Sequence, residues 1–498
     1  MNTAEKREWL LLGSLFVVAG VLRLFYWNVF FGWEESDYGN LAMVQGVLDS
    51  GFTAYDMNHM PGFYAIGAFL LSLIGDTVIA SKSAAWLGGM TSFALTIILA
   101  RHLSGMRVAV VVGLLLIIQP EFSLYSASAL REPLYSAFLL GLVYSYLRNK
   151  WWLAGIMALL AFSIRFEAPL ACCPIMAFLF LRRKRRVAIG SFVGFSLGVF
   201  LWALYCYIVY ETPQFWSHAA GQNVETGLGM EATSTWEWIQ NGFGVVMSLL
   251  FELLPSRVGW LVFIGWFLAP FLIDVNSKMM IPVVMSFGLV AVWLAIGFIS
   301  QHEPNHNLYW KWLMPFVPLM TWVGVTVFGL IVINWRRYMK VCSWGALIIQ
   351  ASLSHVMETQ SQLKRAERLY RPQVELANLI ECNDLTDRSY LIDNIPERWL
   401  RRKPTELSMM SWHDLELSEN SPAVFAEWLK DNNVAAVLWF RESWTKAPEI
   451  APFLGDGQTW THDELILEPT RKDLDPAGYG WVFYERLDGN FKRLPNCD

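Results

Sequence analysis

The stretch GWEESDYGNLA, residues 32–42, places three acids, Glu34, Glu35 and Asp37, directly after an apolar run. That run, residues 9–30, is long enough to span a bilayer. Ionisable groups at membrane depth tend to be functional, although acids in an outer loop are often only solvated. The stretch therefore predicts a membrane protein with a candidate polar site at the mouth of its first span.

Composition separates the chain into two parts. Of its 498 residues, 55% are hydrophobic and 16% are charged, but 17 of the 38 basic and 25 of the 43 acidic residues lie in residues 358–498. We expect an α-helical polytopic membrane protein, with a membrane domain over residues 1–356 and a small soluble α/β domain over residues 357–498. The net charge of −5 and the lack of a long basic patch facing water argue against nucleic acid as a partner.

Hydropathy predicts about eleven membrane-spanning helices. The predicted spans are residues 9–30, 77–100, 106–121, 133–148, 151–165, 168–181, 187–210, 257–273, 279–300, 312–334 and 339–356.

Lysine and arginine set the predicted orientation. With the N-terminus inside, the inner loops hold 15 basic residues, including the run 182–186, and the outer loops hold four. This predicts a multi-pass protein of the plasma (inner) membrane with an extracytoplasmic C-terminal domain. Residues 32–76 contain no Lys or Arg, so the apolar segment 59–76 is predicted to be a helix on the outer membrane surface.

The outer loops place charge at the ends of spans. The charged candidates are Glu34, Glu35, Asp37 and His59 in the first loop, Arg131 and Glu132 in the second, Arg165 and Glu167 in the third, and Lys311 in a later one. They predict one outward-facing polar cavity. Two alternatives stay open: a structural ion pair between Arg165 and Glu167, and mutual neutralisation of Arg131 and Glu132.

Other motifs in the sequence are weak. His302 and His306 fall short of a zinc site, because Pro304 interrupts the helix and a third ligand is missing. No Gly-rich phosphate loop is present, which disfavours an ATP-driven pump. Cys382 and Cys497 both fall in the outer domain, where a disulfide between them is permitted.

Six short motifs resemble the GT-C superfamily of polytopic glycosyltransferases, especially bacterial relatives of protein O-mannosyltransferases and lipid A aminoarabinose transferases. The motifs, in order, are EESDYGNLA (Glu34–Ala42), HMPGFYAI (His59–Ile66), SGMRVA (Ser104–Ala109), REPLYS (Arg131–Ser136), RFEAPL (Arg165–Leu170) and YWKWLMPFVP (Tyr309–Pro318). The first begins with Glu34 where the family usually has Asp, and the last carries Lys311 in place of Arg.

The resemblance implies an inverting transfer of a sugar from a polyprenyl-phosphate donor to an acceptor hydroxyl at the outer face. The acceptor would be a lipid, a glycan or a protein. A carboxylate would act as general base, and cations would neutralise the leaving phosphate. By this resemblance the catalytic candidates are Glu34, Glu35, Asp37 and Glu132, the phosphate-binding candidates are Arg165, Arg131, Lys311 and His59, and the substrate-positioning candidates are Tyr38, Tyr64, Glu167 and Tyr309. Which of the first three acids is the base, and whether a divalent metal takes part, stay open.

The C-terminal domain is predicted to contain strands at SYLID, AAVLWF and GWVFYERL and an amphipathic helix at SPAVFAEWLKDNN. It carries no catalytic constellation, so a lid or docking role is the simpler interpretation. The rival function is a transporter or flippase for a lipid-linked or small polar solute. Acids gathered at one membrane face argue against it, because transporter sites lie near the midplane.

Overall fold

A computed structural model of the chain describes fifteen stretches of sequence. They are residues 3–29, 35–51, 60–211, 235–300, 314–333, 337–383, 389–392, 396, 399–402, 408–412, 415, 417, 420–440, 447–474 and 480–487. The chain divides into two compact units, residues 1–366 and 367–498.

Helices alone, with no strands, make up the regular secondary structure of the first unit in its described residues. Its helices are α1 (Thr3–Val29), α2 (Glu35–Ser50), α3 (Gly62–Ile74), α4 (Thr77–Ser104), α5 (Met106–Ile118), α6 (Pro120–Tyr125), α7 (Glu132–Arg148), α8 (Trp151–Ile164), α9 (Ala168–Leu181), α10 (Arg185–Tyr210), α11 (Thr235–Ser248), which continues into a π-helical segment (Leu249–Leu253), α12 (Leu254–Val258), α13 (Trp260–Leu272), α14 (Met280–Ser300), α15 (Val317–Val332) and α16 (Arg337–Leu369).

Local sequence explains several helix ends. Asp76 caps α4 by accepting a hydrogen bond from the backbone N–H of Ile79 at 2.8 Å. Asn149 ends α7 in the left-handed region, at φ 55°. Gly259, at φ 88°, separates α12 from α13, and the helical segments on either side of it are bent by 119°. The predicted continuous span 257–273 is therefore wrong at its start, because this glycine breaks the helix inside it.

Among the described residues, four helices are long and apolar enough to cross a membrane, or five if the bent pair around Gly259 counts as one span. The four are α1, α4, α10 and α14. Five further apolar helices, α3, α5, α8, α9 and α15, have 10–17 residues. At 1.5 Å per residue they are shorter than the roughly 30 Å hydrocarbon core. The first unit thus has membrane-type helices, and the count of eleven stays a prediction.

Contacts between helix ends join residues that are predicted to lie on the same side of the membrane. At ends predicted to be inner, Arg101 of α4 pairs with Glu8 of α1 at 2.8 Å. At ends predicted to be outer, the amide of Gln119 donates to the carbonyl of Arg257 at 3.1 Å. His355 of α16 contacts the same carbonyl at 2.9 Å. Residues that the charge rule assigns to one side therefore lie together, while the cytoplasmic identity of either side stays a prediction.

The second unit is a small α/β fold in its described residues. Its helices are α17 (Arg371–Asn383), α18 (Pro422–Asp431) and α19 (Ala447–Ile450), with a 3-10 turn at Pro452–Leu454, and its strands are β1 (Ser389–Leu391), β2 (Ser408–Met410), β3 (Val434–Phe440), β4 (Trp460–His462), β5 (Leu465–Leu474) and β6 (Gly480–Arg486). The sheet order is β2-β1-β3-β6-β5-β4; β1 is parallel to β2 and β3, and the other pairs are antiparallel.

Buried side chains cover both faces of this sheet. Phe425 and Leu429 of α18 belong to one core cluster, and Leu376 and Ile380 of α17 belong to the other. All seven residues of β3 are buried, because its side chains are divided between the two clusters. The predicted α/β class, the three predicted strands and the amphipathic helix are confirmed. The location of this unit outside the cytoplasm stays a prediction.

Cys382 of α17 is disulfide-bonded. Its predicted partner, Cys497, lies outside the described residues, as do the histidines of the weak zinc motif, His302 and His306.

Candidate active site

The candidate site is built around a buried ion pair between Arg165 and Glu132. The Nη2 atom of Arg165 donates to Oε1 of Glu132. Glu132 is 1% exposed and Arg165 is 5% exposed. A charge-assisted hydrogen bond at this depth offsets the desolvation of both groups, and removing either partner would leave a buried uncompensated charge. The pair therefore fixes the start of α7 against the link between α8 and α9.

The sequence around Glu132 explains its position. Pro133 lies in the first turn of α7, where its missing N–H costs no helical hydrogen bond. Ser92 of α4 donates its hydroxyl to the carbonyl of Pro133 at 3.2 Å. A Cβ atom on Gly88 would lie 2.5 Å from the backbone nitrogen of Leu134, so only glycine lets α4 approach this closely. The start of α7 is thus held by backbone contacts on α4.

Asn40 joins the acidic helix α2 to the segment that precedes Glu132. Its side-chain amide donates to the carbonyl of Ala129 at 2.8 Å, and its Oδ1 accepts the hydroxyl of Tyr64 at 2.8 Å. Asn40 is 5% exposed. Asp37 lies three residues earlier on α2, which places the two positions on one helix face. The first turn of α2 is therefore brought toward the start of α7.

The start of α3 packs against the end of α8, next to Arg165. A Cβ atom on Gly62 would lie 2.4 Å from Oγ of Ser163 and 2.8 Å from its carbonyl oxygen. Because no side chain other than hydrogen fits there, Gly62 sets the distance between the two helix ends. Helices α2, α3, α7 and α8 thus converge on one region of the first unit.

The electrostatics of this region combine two arginines with two carboxylates. The Nε atom of Arg131 lies 3.9 Å from Oε1 of Glu132. Glu132 and Glu167 place negative charge beside the buried guanidinium of Arg165. Burial raises the pKa of Glu167, which lies in the link between α8 and α9, and the charge of Arg165 opposes that shift. Oε2 of Glu167 is buried and has no hydrogen-bond partner among the described residues. The region can therefore hold an anion beside Arg131 and Arg165, and a hydroxyl donor beside Glu167.

The structure locates part of the predicted site. It brings together Arg131, Glu132, Arg165 and Glu167, and it places Tyr38 and Tyr64 in buried positions on the neighbouring helices α2 and α3. Glu35 and Asp37 lie in the first turn of α2, where only the backbone is described. Glu34, His59, Tyr309 and Lys311 lie outside the described residues.

Two positions that organise the site are absent from the sequence prediction. Asn40 lies inside the quoted EESDYGNLA stretch, and its helical spacing of three residues from Asp37 was the available signal. Gly62 follows Pro61 at the start of α3, and nothing in the sequence alone distinguishes it from the other glycines. Among the described residues, no group of three or more His, Cys, Asp or Glu side chains could hold a metal ion.

Comparison with solved structures identifies the fold of the chain. No protein-family model matches the sequence, and no curated protein matches it. The crystal structure of ArnT from Cupriavidus metallidurans bound to undecaprenyl phosphate has a TM-score of 0.61 at 12% identity, covering 95% of this chain and 97% of that one. The chain has the GT-C fold.

Two further structures agree with this assignment. ArnT from Cupriavidus metallidurans in the apo state has a TM-score of 0.53 at 12% identity, covering 97% of this chain and 98% of that one. The Archaeoglobus fulgidus oligosaccharyltransferase complex with Zn and sulfate has a TM-score of 0.55 at 10% identity, covering 94% of this chain and 72% of that one. The fold implied by the six sequence motifs is confirmed.

Proposed function

We propose that the chain is an inverting glycosyltransferase that moves a sugar from a polyprenyl-phosphate donor to an acceptor hydroxyl at the outer face of the membrane. The observation that carries the proposal is the buried Arg165–Glu132 pair beside the acidic start of α2. Arg165 of this pair can stabilise the negative charge of a leaving phosphate. The carboxylates at the start of α2 can accept the proton of the acceptor hydroxyl. The likeness to a structure bound to undecaprenyl phosphate supports a lipid-phosphate donor.

The phosphate is assigned to Arg165 and Arg131. A guanidinium presents five N–H donors, so the bond from Nη2 of Arg165 to Glu132 is compatible with a second anion. Arg131, whose side chain is 19% exposed, lies at the more open side of the pair. As the bond between sugar and phosphate breaks, negative charge grows on the phosphate, and fixed cations stabilise that charge. His59 and Lys311 are proposed to complete this side of the site.

Glu132 is assigned a positioning role in the proposed reaction. Its Oε1 atom is engaged by Arg165, and a second guanidinium, that of Arg131, lies 3.9 Å away. The hydrogen bond from Arg165 to this carboxylate holds the guanidinium in one orientation, which is a positioning role. We therefore place the general base among Glu34, Glu35 and Asp37, with Glu34 as the first choice.

The proposed reaction is a single displacement at the anomeric carbon. The base removes the proton of the acceptor hydroxyl, and the acceptor oxygen attacks the anomeric carbon from the face opposite the phosphate. The bond between that carbon and the phosphate oxygen breaks, which releases polyprenyl phosphate and inverts the anomeric centre. Tyr38, Tyr64, Tyr309 and Glu167 are proposed to position the substrates.

A labelled-donor assay tests this function against the transporter alternative. The full-length purified protein would be incubated with a radiolabelled polyprenyl-phosphate sugar and a membrane extract. Covalent label on an acceptor supports the transferase. Counterflow of the labelled lipid in protein-containing vesicles, without labelling of any acceptor, supports the transporter and contradicts the proposal.

A further inference from the structure

Two loops bring six cations together at the predicted inner end of the first unit. The link between α9 and α10, with the first turn of α10, carries the run 182–186, and the loop between α13 and α14 carries Lys278. The guanidinium of Arg182 donates to Oδ1 of Asn276 and to the carbonyl of Val275. These hydrogen bonds hold the two loops against each other. We name this surface, residues 182–186 with Lys278, the basic loop pair.

The basic loop pair carries a large net positive charge. The loop between α13 and α14 also holds one acid, Asp274, whose Oδ1 accepts the backbone N–H of Asn276 at 2.8 Å. Among the described residues, none of the six cations forms an ion pair within 4.0 Å, and Arg182 and Arg185 lie over the rings of Phe178 and Phe180. Lys184 is half-buried, and its burial together with the nearby Lys278 lowers its pKa. Like charges held together in this way repel one another, so a bound anion would stabilise them.

Exposed apolar side chains lie next to these cations in the sequence and in the loops. Leu181 is 82% exposed and Phe271 is 80% exposed. Val275 is exposed as well, on the loop that Arg182 contacts. A small soluble anion would use the cations alone, whereas a lipid with an anionic headgroup would also cover the apolar side chains.

We propose that the basic loop pair binds the phosphate headgroup of an anionic glycerophospholipid, with its acyl chains along the apolar side chains of α9 and α13. The tendency of Lys and Arg to lie in inner loops accounts for cations there, but it requires neither hydrogen bonds between the loops nor their convergence on one surface. Arg107, Arg148 and Lys150 satisfy the same tendency in other predicted inner loops and provide a matched comparison. The proposal does not depend on the transferase activity.

The test compares two triple variants of the full chain in detergent, with fluorescent phosphatidylglycerol as the probe and fluorescent phosphatidylcholine as the neutral lipid. The variant Lys184→Gln/Arg185→Gln/Lys278→Gln should bind phosphatidylglycerol roughly 10- to 100-fold more weakly than the unmodified chain. The variant Arg107→Gln/Arg148→Gln/Lys150→Gln loses the same charge and should bind it normally. Thermal unfolding shows whether both triple variants are folded. If the first does not fold, the single variant Lys278→Gln, at an exposed position, replaces it and should bind phosphatidylglycerol roughly fivefold more weakly.

Three results would overturn the proposal. Equal losses in the two triple variants would show that net charge alone accounts for binding. Equal affinity for phosphatidylglycerol and phosphatidylcholine would show that binding does not depend on the charge of the headgroup. Displacement of the lipid by inorganic phosphate at similar concentration would assign the cations to a free anion.

Discussion

Arg165 and Glu132 form the pair on which the proposed donor site depends, and the origin of their contact lies in tertiary packing. The two residues are 33 positions apart and meet because α7 packs against both α4 and α8. The sequence placed both residues in outer loops and in one cavity. From the sequence, Glu167 was the candidate ion-pair partner of Arg165, and Arg131 was that of Glu132. A sequence motif shows only neighbouring residues, so the contact between Arg165 and Glu132 was not predicted.

Replacement of Arg165 is the first test at this scale. Arg165→Ala should lower donor affinity and reduce transfer by roughly 10²-fold or more, since a cation that stabilises the leaving phosphate is lost. The same change leaves Glu132 buried without its partner and should destabilise the fold by roughly 3–5 kcal/mol. The double variant Glu132→Gln/Arg165→Gln removes both charges and separates the two effects.

Transfer rate and donor affinity are measured for both variants and for Arg131→Ala as the control. The more exposed Arg131 should matter less than Arg165. A folded double variant with unchanged donor affinity and turnover would reject the assignment of the phosphate to Arg165.

The three acids before and within α2 give the second test. Glu34→Gln keeps the shape and hydrogen bonding of the side chain but cannot accept the proton, so transfer should fall roughly 10²–10⁴-fold while donor binding persists. Glu35→Gln and Asp37→Asn are the matched controls. Normal turnover in Glu34→Gln with an inactive neighbour would move the role of base to that neighbour. Three active single variants would remove the chemical support for a base in this stretch.

At the scale of elements, the close approach of α3 to α8 places the start of α3 beside Arg165. Gly62→Ala would put a methyl group 2.4 Å from Oγ of Ser163, which forces the helix ends apart. We expect a loss of roughly 1–3 kcal/mol in stability and a disproportionate loss of transfer, because the two halves of the site separate. Thermal unfolding and turnover are the measurements.

Gly13→Ala is the control for this substitution, because nothing lies within 4 Å of a Cβ atom at Gly13 in helix α1. It should leave turnover unchanged and be neutral or slightly stabilising. Equal behaviour of the two variants would show that the contact between α3 and α8 does not organise the site.

Hydrophobic patterning predicted the helices of the first unit better than their lengths or ends. The apolar segment 59–76 is a helix over Gly62–Ile74, as expected from its composition. The last predicted span, 339–356, is part of the longer helix α16, which continues to Leu369. Hydropathy locates only the end of the apolar residues. The helical backbone of α16 continues through polar residues that favour helix. The predicted domain boundary after residue 356 therefore falls inside α16.

In the second unit, β-branched and aromatic runs predicted strands at β1, β3 and β6. Strand β1 is as short as β2 and β4, with three residues each, but it lies in the apolar run YLI, whereas SMM and WTH in β2 and β4 belong to no such run. The order of the strands in the sheet could not be predicted from the sequence either. Strand β1 pairs in parallel with both β2 and β3, and the connections between these strands differ in length.

At the scale of the whole molecule, the predicted orientation can be tested directly. The 15-to-4 distribution of basic residues places the run 182–186 in the cytoplasm and residues 360–498 outside it. A reporter that is active only outside the cytoplasm should be active when fused after Asp498. The same reporter fused after Arg183 should be inactive. Activity of a cytoplasm-only reporter after Asp498 would contradict the orientation and, with it, the assignment of the site to the outer face.

The configuration of the transferred sugar tests the central claim most directly. A polyprenyl-phosphate sugar of known anomeric configuration, labelled with carbon-13 at the anomeric carbon, would be incubated with the purified chain and an acceptor. The NMR spectrum of the product then reports the new configuration. Direct attack by the acceptor oxygen opposite the phosphate predicts the inverted anomer. A product with retained configuration would contradict the single-displacement mechanism, and the absence of any transferred sugar, with acceptor and donor both bound, would contradict the enzymatic function itself.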